Sequence, residues 1–132
     1  MTNKLIQTKG KRKRAVVRAT LSPGKGIIKI NGINLNNFST DILRHRISEP
    51  LLLAEEIAKK VDFNITVNGG GVNGQADAIR LAIARALVEH EPKLKKTFDS
   101  YDRLLLVADI RRKEACKPND SKARAKRQKS YR

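Results

Sequence analysis

The chain is poor in most of what catalysis, secretion and membranes require. It has a single cysteine, Cys116, so no disulfide can form within it, which fits a reducing compartment. Tryptophan is absent and aromatic residues make up 4%, so stacking of splayed single-stranded bases cannot be a main device. The longest unbroken apolar run, residues 104–108, spans five positions, whereas a bilayer crossing takes about 20. The opening MTNKLIQTKGKRKR lacks the apolar stretch of roughly 7 to 15 residues that a secretory signal carries. A cytoplasmic protein with no membrane partner is expected. His45 and His90 are far apart, with no Cys or Asp at metal-ligand spacing, and no serine sits in a G-x-S-x-G turn. Glu89 and Glu91 lie at a helix end rather than forming a catalytic pair. The expectation is no catalytic residue, no metal, no cofactor and no small-molecule substrate.

What the chain has is positive charge. Across 132 residues, 29 Lys and Arg stand against 13 Asp and Glu, a formal net charge of +16, which calls for a polyanionic partner. Length and a 39% hydrophobic content allow one domain with a modest core. The charge is uneven. Residues 1–14 hold six basic and no acidic residues, and residues 111–132 hold ten basic and two acidic. Residues 61–110 hold six basic and seven acidic ones, like an ordinary soluble fold. This predicts a basic N-terminal arm over 1–14, a globular domain over 15–110 and a basic C-terminal tail over 111–132. The ending KPNDSKARAKRQKSYR has almost no large aliphatic residue and cannot offset its own ordering entropy. A solubility tail is the bland reading, but the single sign of the charge favours an arm for nucleic acid. GKRKR is also compatible with a nuclear import signal, which would not exclude RNA binding.

Residues 14–21 alternate, with Ala15, Val17, Ala19 and Leu21 on one side and Arg14, Val16, Arg18 and Thr20 on the other, as in a half-buried strand. Ser22, Pro23, Gly24, Lys25 and Gly26 then predict a turn, and residues 27–30 a hairpin partner whose polar side adds Lys29 to Arg14 and Arg18. Ser48 is expected to cap a helix with Glu49 and Pro50 in its first turn and with Glu55–Lys59 and Glu56–Lys60 pairs outside. Its buried side would be Leu51, Leu53, Ala54, Ile57, Ala58 and Val61. Phe63, Ile65 and Val67 alternate with polar residues as a strand. Residues 75–91 repeat at helical spacing and end before Pro92, and 104–108 read as a short buried strand. The fold class is α+β, in the order two strands, helix, strand, helix, strand.

Gly69-Gly70-Gly71-Val72-Asn73-Gly74 matches G-x-G-x-x-G between a strand and a helix, the setting of a dinucleotide fingerprint. The acidic residue that should follow about 20 positions later is missing, since Asp109 lies much further on, and Gln75 and Ala76 replace the Lys-Ser/Thr of a P-loop. The glycines are better read as permitting positive φ and close approach of backbone to RNA, with helix amides, Asn73 and Gln75 near a phosphate. With no helix-turn-helix, zinc finger or basic zipper, RNA is favoured over DNA, and the residues alone leave a general architectural nucleic-acid-binding protein open.

The segments GKRKRAVVRATLSPGKGIIKING, SEPLLLAEEIAKKVDFNITVNGGGVNGQADAIRLAIARAL and KARAKRQKSYR resemble the universal family of the ninth protein of the small ribosomal subunit, over nearly the whole chain. The ending QKSYR is similar to its archaeal and eukaryotic branch. The resemblance implies a ribosomal S-five second-domain-like fold with a left-handed βαβ crossover, seated in the head of the subunit beside neighbouring small-subunit ribosomal proteins. It also implies rRNA binding through basic surface and arms. Candidate rRNA contacts are Lys11, Arg12, Lys13, Arg14, Arg18 and Lys29 toward the N-terminus, and Gly69, Gly70, Gly71, Asn73, Gly74 and Gln75 at the glycine turn. In the tail they are Arg111, Arg112, Lys113, Lys117, Lys122, Arg124, Lys126 and Arg127. By position, Lys129, Ser130, Tyr131 and Arg132 would touch the tRNA in the P site.

Overall fold

The computed structural model describes residues 4–118 and 123–124. Five strands form one sheet: β1 (Ile6–Arg12), β2 (Ala15–Pro23), β3 (Ile28–Ile30), β4 (Ile33–Asn34) and β5 (Val61–Asn68), in the order β1-β2-β5-β3-β4. Helices α1 (Asp41–Leu53) and α2 (Glu55–Ala58) cross from β4 to β5, and α3 (Val72–His90) and α4 (Leu94–Tyr101) follow it. The fold is α+β. In β1, β2 and β5 alternate residues are buried, and α3 packs on the side that holds Val17, Ala19, Ile65 and Val67. The other face of the sheet is open.

β5 is central because Val61, Phe63, Ile65 and Val67 need apolar neighbours on both sides, and all four are buried. Its partners are antiparallel β2, from Val16↔Asn68 to Pro23↔Val61, and parallel β3, from Ile28↔Phe63 to Ile30↔Ile65. The expected hairpin of β2 with the segment 27–30 is therefore wrong: β5 lies between them. The loop that looked like a tight turn is held across the start of β5. Asp62 Oδ1 accepts hydrogen bonds from the amides of Lys25 and Ile27, both at 2.8 Å, and the Gly24 amide donates to the Lys60 carbonyl at 2.9 Å.

The hairpin partner of β2 is instead β1, in register from Ile6↔Leu21 to Arg12↔Ala15. Much of the run expected as a free arm is thus an edge strand. Gly10 makes this possible, since a Cβ there would stand 2.1 Å from the Ala78 carbonyl oxygen of α3. Only a glycine lets strand and helix approach so closely.

Two further expectations change. The helix predicted to begin at Ser48 begins at Asp41, and Ser48 lies inside it, donating to the Arg44 carbonyl at 2.8 Å. Leu43, Ile47 and Leu51 supply the buried stripe at i, i+4 and i+8, while Pro50 is tolerated near the end and the chain breaks at Ala54 with φ −119°. Val61, expected on that helix, opens β5. Of the two predicted ion pairs, Lys59 Nζ lies 2.6 Å from Glu55 Oε1. The segment 104–108 is not a strand. It holds the end of a 3₁₀ turn, Arg103–Leu105, in which Leu105 is buried while Leu104 is partly exposed. Arg85 ties this segment to β1 instead, its Nη1 donating to the Lys9 carbonyl at 3.0 Å and its Nε to the Leu106 carbonyl at 3.1 Å. α3 matches its expectation closely, starting three residues earlier.

Candidate nucleic-acid interface

On the open face, register places Lys9 opposite Arg18, and Arg18 opposite Thr66. The neighbouring rows run Gln7, Thr20, Asn64 and Lys29, and Lys11, Val16 and Asn68. Lys9, Lys11, Arg18 and Lys29 are all exposed. Among the described residues the one carboxylate on these strands is Asp62, whose oxygen is taken by the Lys25 and Ile27 amides. Like charges directly opposite across a ladder cost on the order of 0.5 kcal/mol, an expense that the Glu89 carboxylate in the same concavity offsets in part and an anion would relieve further. Lys9 escaped the sequence reading, although it shares the alternation of Lys11.

At the hairpin tip, Lys13 takes a positive φ of 53° and Arg14 is exposed. The glycine turn folds against this tip. Gly69 and Gly70 have φ of +75° and +70°, and a Cβ on them would meet the Arg14 carbonyl oxygen at 2.7 Å and the Ala15 amide nitrogen at 2.8 Å. Their close approach is thus to the chain's own backbone. Gly71 is open, with nothing within 4 Å of where its Cβ would be, and it begins α3 without a side-chain cap. Asn73 is exposed in the first turn, Gly74 sits near the Arg12 carbonyl, and Gln75 Nε2 donates to the Gly69 carbonyl at 3.0 Å. Lys13, Arg14, Gly70, Gly71, Arg112 and Lys113 line one concavity there, together with Glu114, whose carboxylate is engaged by Arg124. Four cations facing the positive end of a 19-residue helix repel one another and favour an anion between them.

Arg12 does something different, because its register turns it inward. Its side chain is 14% exposed, with Nη2 at 3.5 Å from Asp109 Oδ2, Nε at 3.9 Å from Asp77 Oδ2, and Nη1 donating to the Arg111 carbonyl at 2.8 Å. Arg111 is likewise engaged: its Nη2 lies 2.7 Å from Asp109 Oδ2 and its Nε 3.0 Å from Oδ1. Hydrogen bonds from the Arg111 side chain and amide, with the Arg12 charge beside them, hold the Asp109 carboxyl well below the usual carboxylate range. Arg124 pairs with Glu114 at 2.6 Å, and Lys117 is exposed. Lys122, Lys126, Arg127, Lys129, Ser130, Tyr131 and Arg132 lie outside the described residues.

Residues 10–132 match the family model of ribosomal protein S9/S16. The chain belongs to this family. A relative in Thermoplasma volcanium named small ribosomal subunit protein uS9 is 51% identical over 129 residues, covering 96% of this chain and 98% of the relative. Another of the same name, in Pyrobaculum aerophilum, is 46% identical over 133 residues, covering 99% of this chain and 94% of the relative. These relatives agree with the branch that the ending QKSYR resembles. As a member of a ribosomal protein family, the chain is a structural component and not an enzyme. The match to a dinucleotide fingerprint is accordingly a property of the fold, in which two of the glycines serve the contact with the hairpin tip.

Proposed function

We propose that this ribosomal protein, working in the cytoplasm within the small subunit for which its relatives are named, holds rRNA through the hairpin tip, the start of α3 and the open face of the sheet. The tail then runs on through RNA, and Lys129, Ser130, Tyr131 and Arg132 contact the tRNA in the P site. The observation that carries the rRNA reading is the gathering of Lys13, Arg14, Arg112 and Lys113 around the uncapped N-terminus of α3. Guanidinium and ammonium groups placed at helix amides match phosphate oxygens, and four cations outnumber the one carboxylate, Glu114, that shares their concavity. Arg112 and Lys113 begin the tail, so the same contact would start it along RNA. Neighbouring small-subunit proteins complete the surroundings.

Affinity dominated by phosphates falls steeply with salt, by about 10³ to 10⁵ fold between 50 and 200 mM for six to ten contacts. Hydroxyl-radical footprints on small-subunit rRNA, with and without Arg14→Ala and Lys113→Ala, test the first half; identical footprints would count against it. The second half is tested by deleting residues 130–132, which should leave subunit assembly intact and weaken retention of P-site tRNA. Unchanged tRNA dissociation would remove that role.

A further inference from the structure

Acidic residues are the scarce kind in this chain, 13 against 29 basic ones, yet four of them meet in one place. Glu49, Asp77, Asp102 and Asp109 line a concavity together with Lys11, Arg12, Arg46, Arg80 and Arg111. The charges come from four separate parts of the chain: Lys11 and Arg12 from β1, Arg46 and Glu49 from α1, Asp77 and Arg80 from α3, and the rest from residues 102–111. Arg80, 12% exposed, bridges Glu49 at 2.5 Å and Asp102 at 3.0 Å, and Arg46 reaches Asp77 at 3.1 Å. Arg12 links Asp77 to Asp109, which is itself 12% exposed. Such shielding keeps salt from screening the pairs as it screens surface ones. A polyanion has no use for four carboxylates, so this cluster is not a phosphate site.

Its position suggests its use. After the 3₁₀ turn Arg103–Leu105 the described residues have no helix or strand, so no ladder sets the direction of the chain as it leaves the domain. Beyond the local backbone bonds of residues 102–107, side chains hold this segment to the domain: Leu105 in the core, Arg85 on the Leu106 carbonyl, Arg80 on Asp102, and Arg12 on both Asp109 and the Arg111 carbonyl. We propose that Arg12, Arg80, Asp102 and Asp109 form an ionic clasp that fixes where and in which direction the C-terminal tail leaves the domain. They are positioning residues for whatever the tail touches. The clasp rests on the proposed function only for the tail's destination.

Cys116, the chain's single cysteine, is exposed and lies just beyond the clasp, so a nitroxide attached there reports the tether directly. In the full-length protein the label should be restricted. Asp102→Asn with Asp109→Asn should sharpen its spectrum, while Glu91→Gln with Asp99→Asn, which removes the same formal charge away from the clasp, should not. An unchanged spectrum in the folded clasp variant overturns the proposal. Should that variant fail to fold, Arg12→Gln removes the cation from the other side of Asp109 and supplies the same reading. In small subunits carrying the clasp variant, P-site tRNA should dissociate roughly tenfold faster, an effect of about 1.4 kcal/mol. If deleting residues 130–132 leaves tRNA dissociation unchanged, the proposed tail contact falls and the nitroxide alone decides the clasp. If the deletion matters, the label is freed and the clasp variant dissociates tRNA normally, the positioning role is refuted.

Discussion

The two cation-rich regions of this protein are built from the same residue types and sit in opposite surroundings. Around the hairpin tip and on the open face, Lys9, Lys11, Lys13, Arg14, Arg18 and Lys29 stand exposed. On the other side Arg12, Arg46, Arg80 and Arg111 share a concavity with four carboxylates. Strand β1 belongs to both, sending Lys9 to the open face and Arg12 inward, with Lys11 exposed at the rim of the carboxylate concavity. The period of two along a strand decides which cation stands exposed and which is drawn into ion pairs.

The substitution that should damage both regions at once is Gly10→Ala, because the added Cβ would drive β1 off the Ala78 carbonyl. A loss of about 2–3 kcal/mol is expected from overpacking, read as a lowered urea midpoint. Next comes Arg80→Leu, which leaves Glu49 and Asp102 facing each other across a partly shielded site. It should cost about 2 kcal/mol, less than a fully buried pair because both carboxylates reach solvent. Arg18→Ala should separate the regions most clearly. Stability should stay within about 0.5 kcal/mol, while the salt dependence of RNA binding falls by about one counterion. An unchanged salt slope would remove Arg18 from the interface.

The smallest effect near neutrality is that of pH, and it should touch one region only. Burial by itself would raise the Asp102 carboxyl, but hydrogen bonds from the Leu104 amide and Arg80 outweigh it and the net direction is down; Asp109 is also lowered. Arg12 and Lys11 from β1, Arg46 and Glu49 from α1, and Asp77 and Arg80 from α3 face these groups, with Arg111 beside them. Carboxylates with depressed folded-state values stabilise fully above the ordinary range near pH 4, and lose that contribution as pH falls through the folded-state values. The nitroxide at Cys116 should therefore stay restricted from neutrality to about pH 5 and be freed in stronger acid. Release at pH 6 would show that the carboxylates are not what holds it.

Local pattern carried much of the fold. The alternation of β2 and β5 and the helical spacing of α3 were legible because one buried face dictates each period. The stripe Leu43, Ile47 and Leu51 was equally periodic, but Ser48-Glu49-Pro50 imitates a helix start and hid it. Pairing was not legible: Pro23 and the two glycines imitate a hairpin turn, and nothing local says that β5, nearly forty residues later, will enter between β2 and β3. Of the candidate site, the exposure of Lys11, Lys13, Arg14, Arg18 and Lys29 follows from charge. The inward turn of Arg12 is not legible, because charge type does not reveal which face of a strand a residue takes, and the clasp has no sequence signal since its partners are separated by tens of residues.

By itself, then, the sequence determined that the chain is a basic, one-domain α+β member of a ribosomal protein family, since composition, periodicity and a nearly full-length match all act locally or in sum. Only the tertiary structure decided which cations are neutralised and which remain free. That outcome depends on strand order and register, which bring Asp77, Asp102 and Asp109 within reach of Arg12 and Arg80 and leave Lys9 and Arg18 exposed opposite each other.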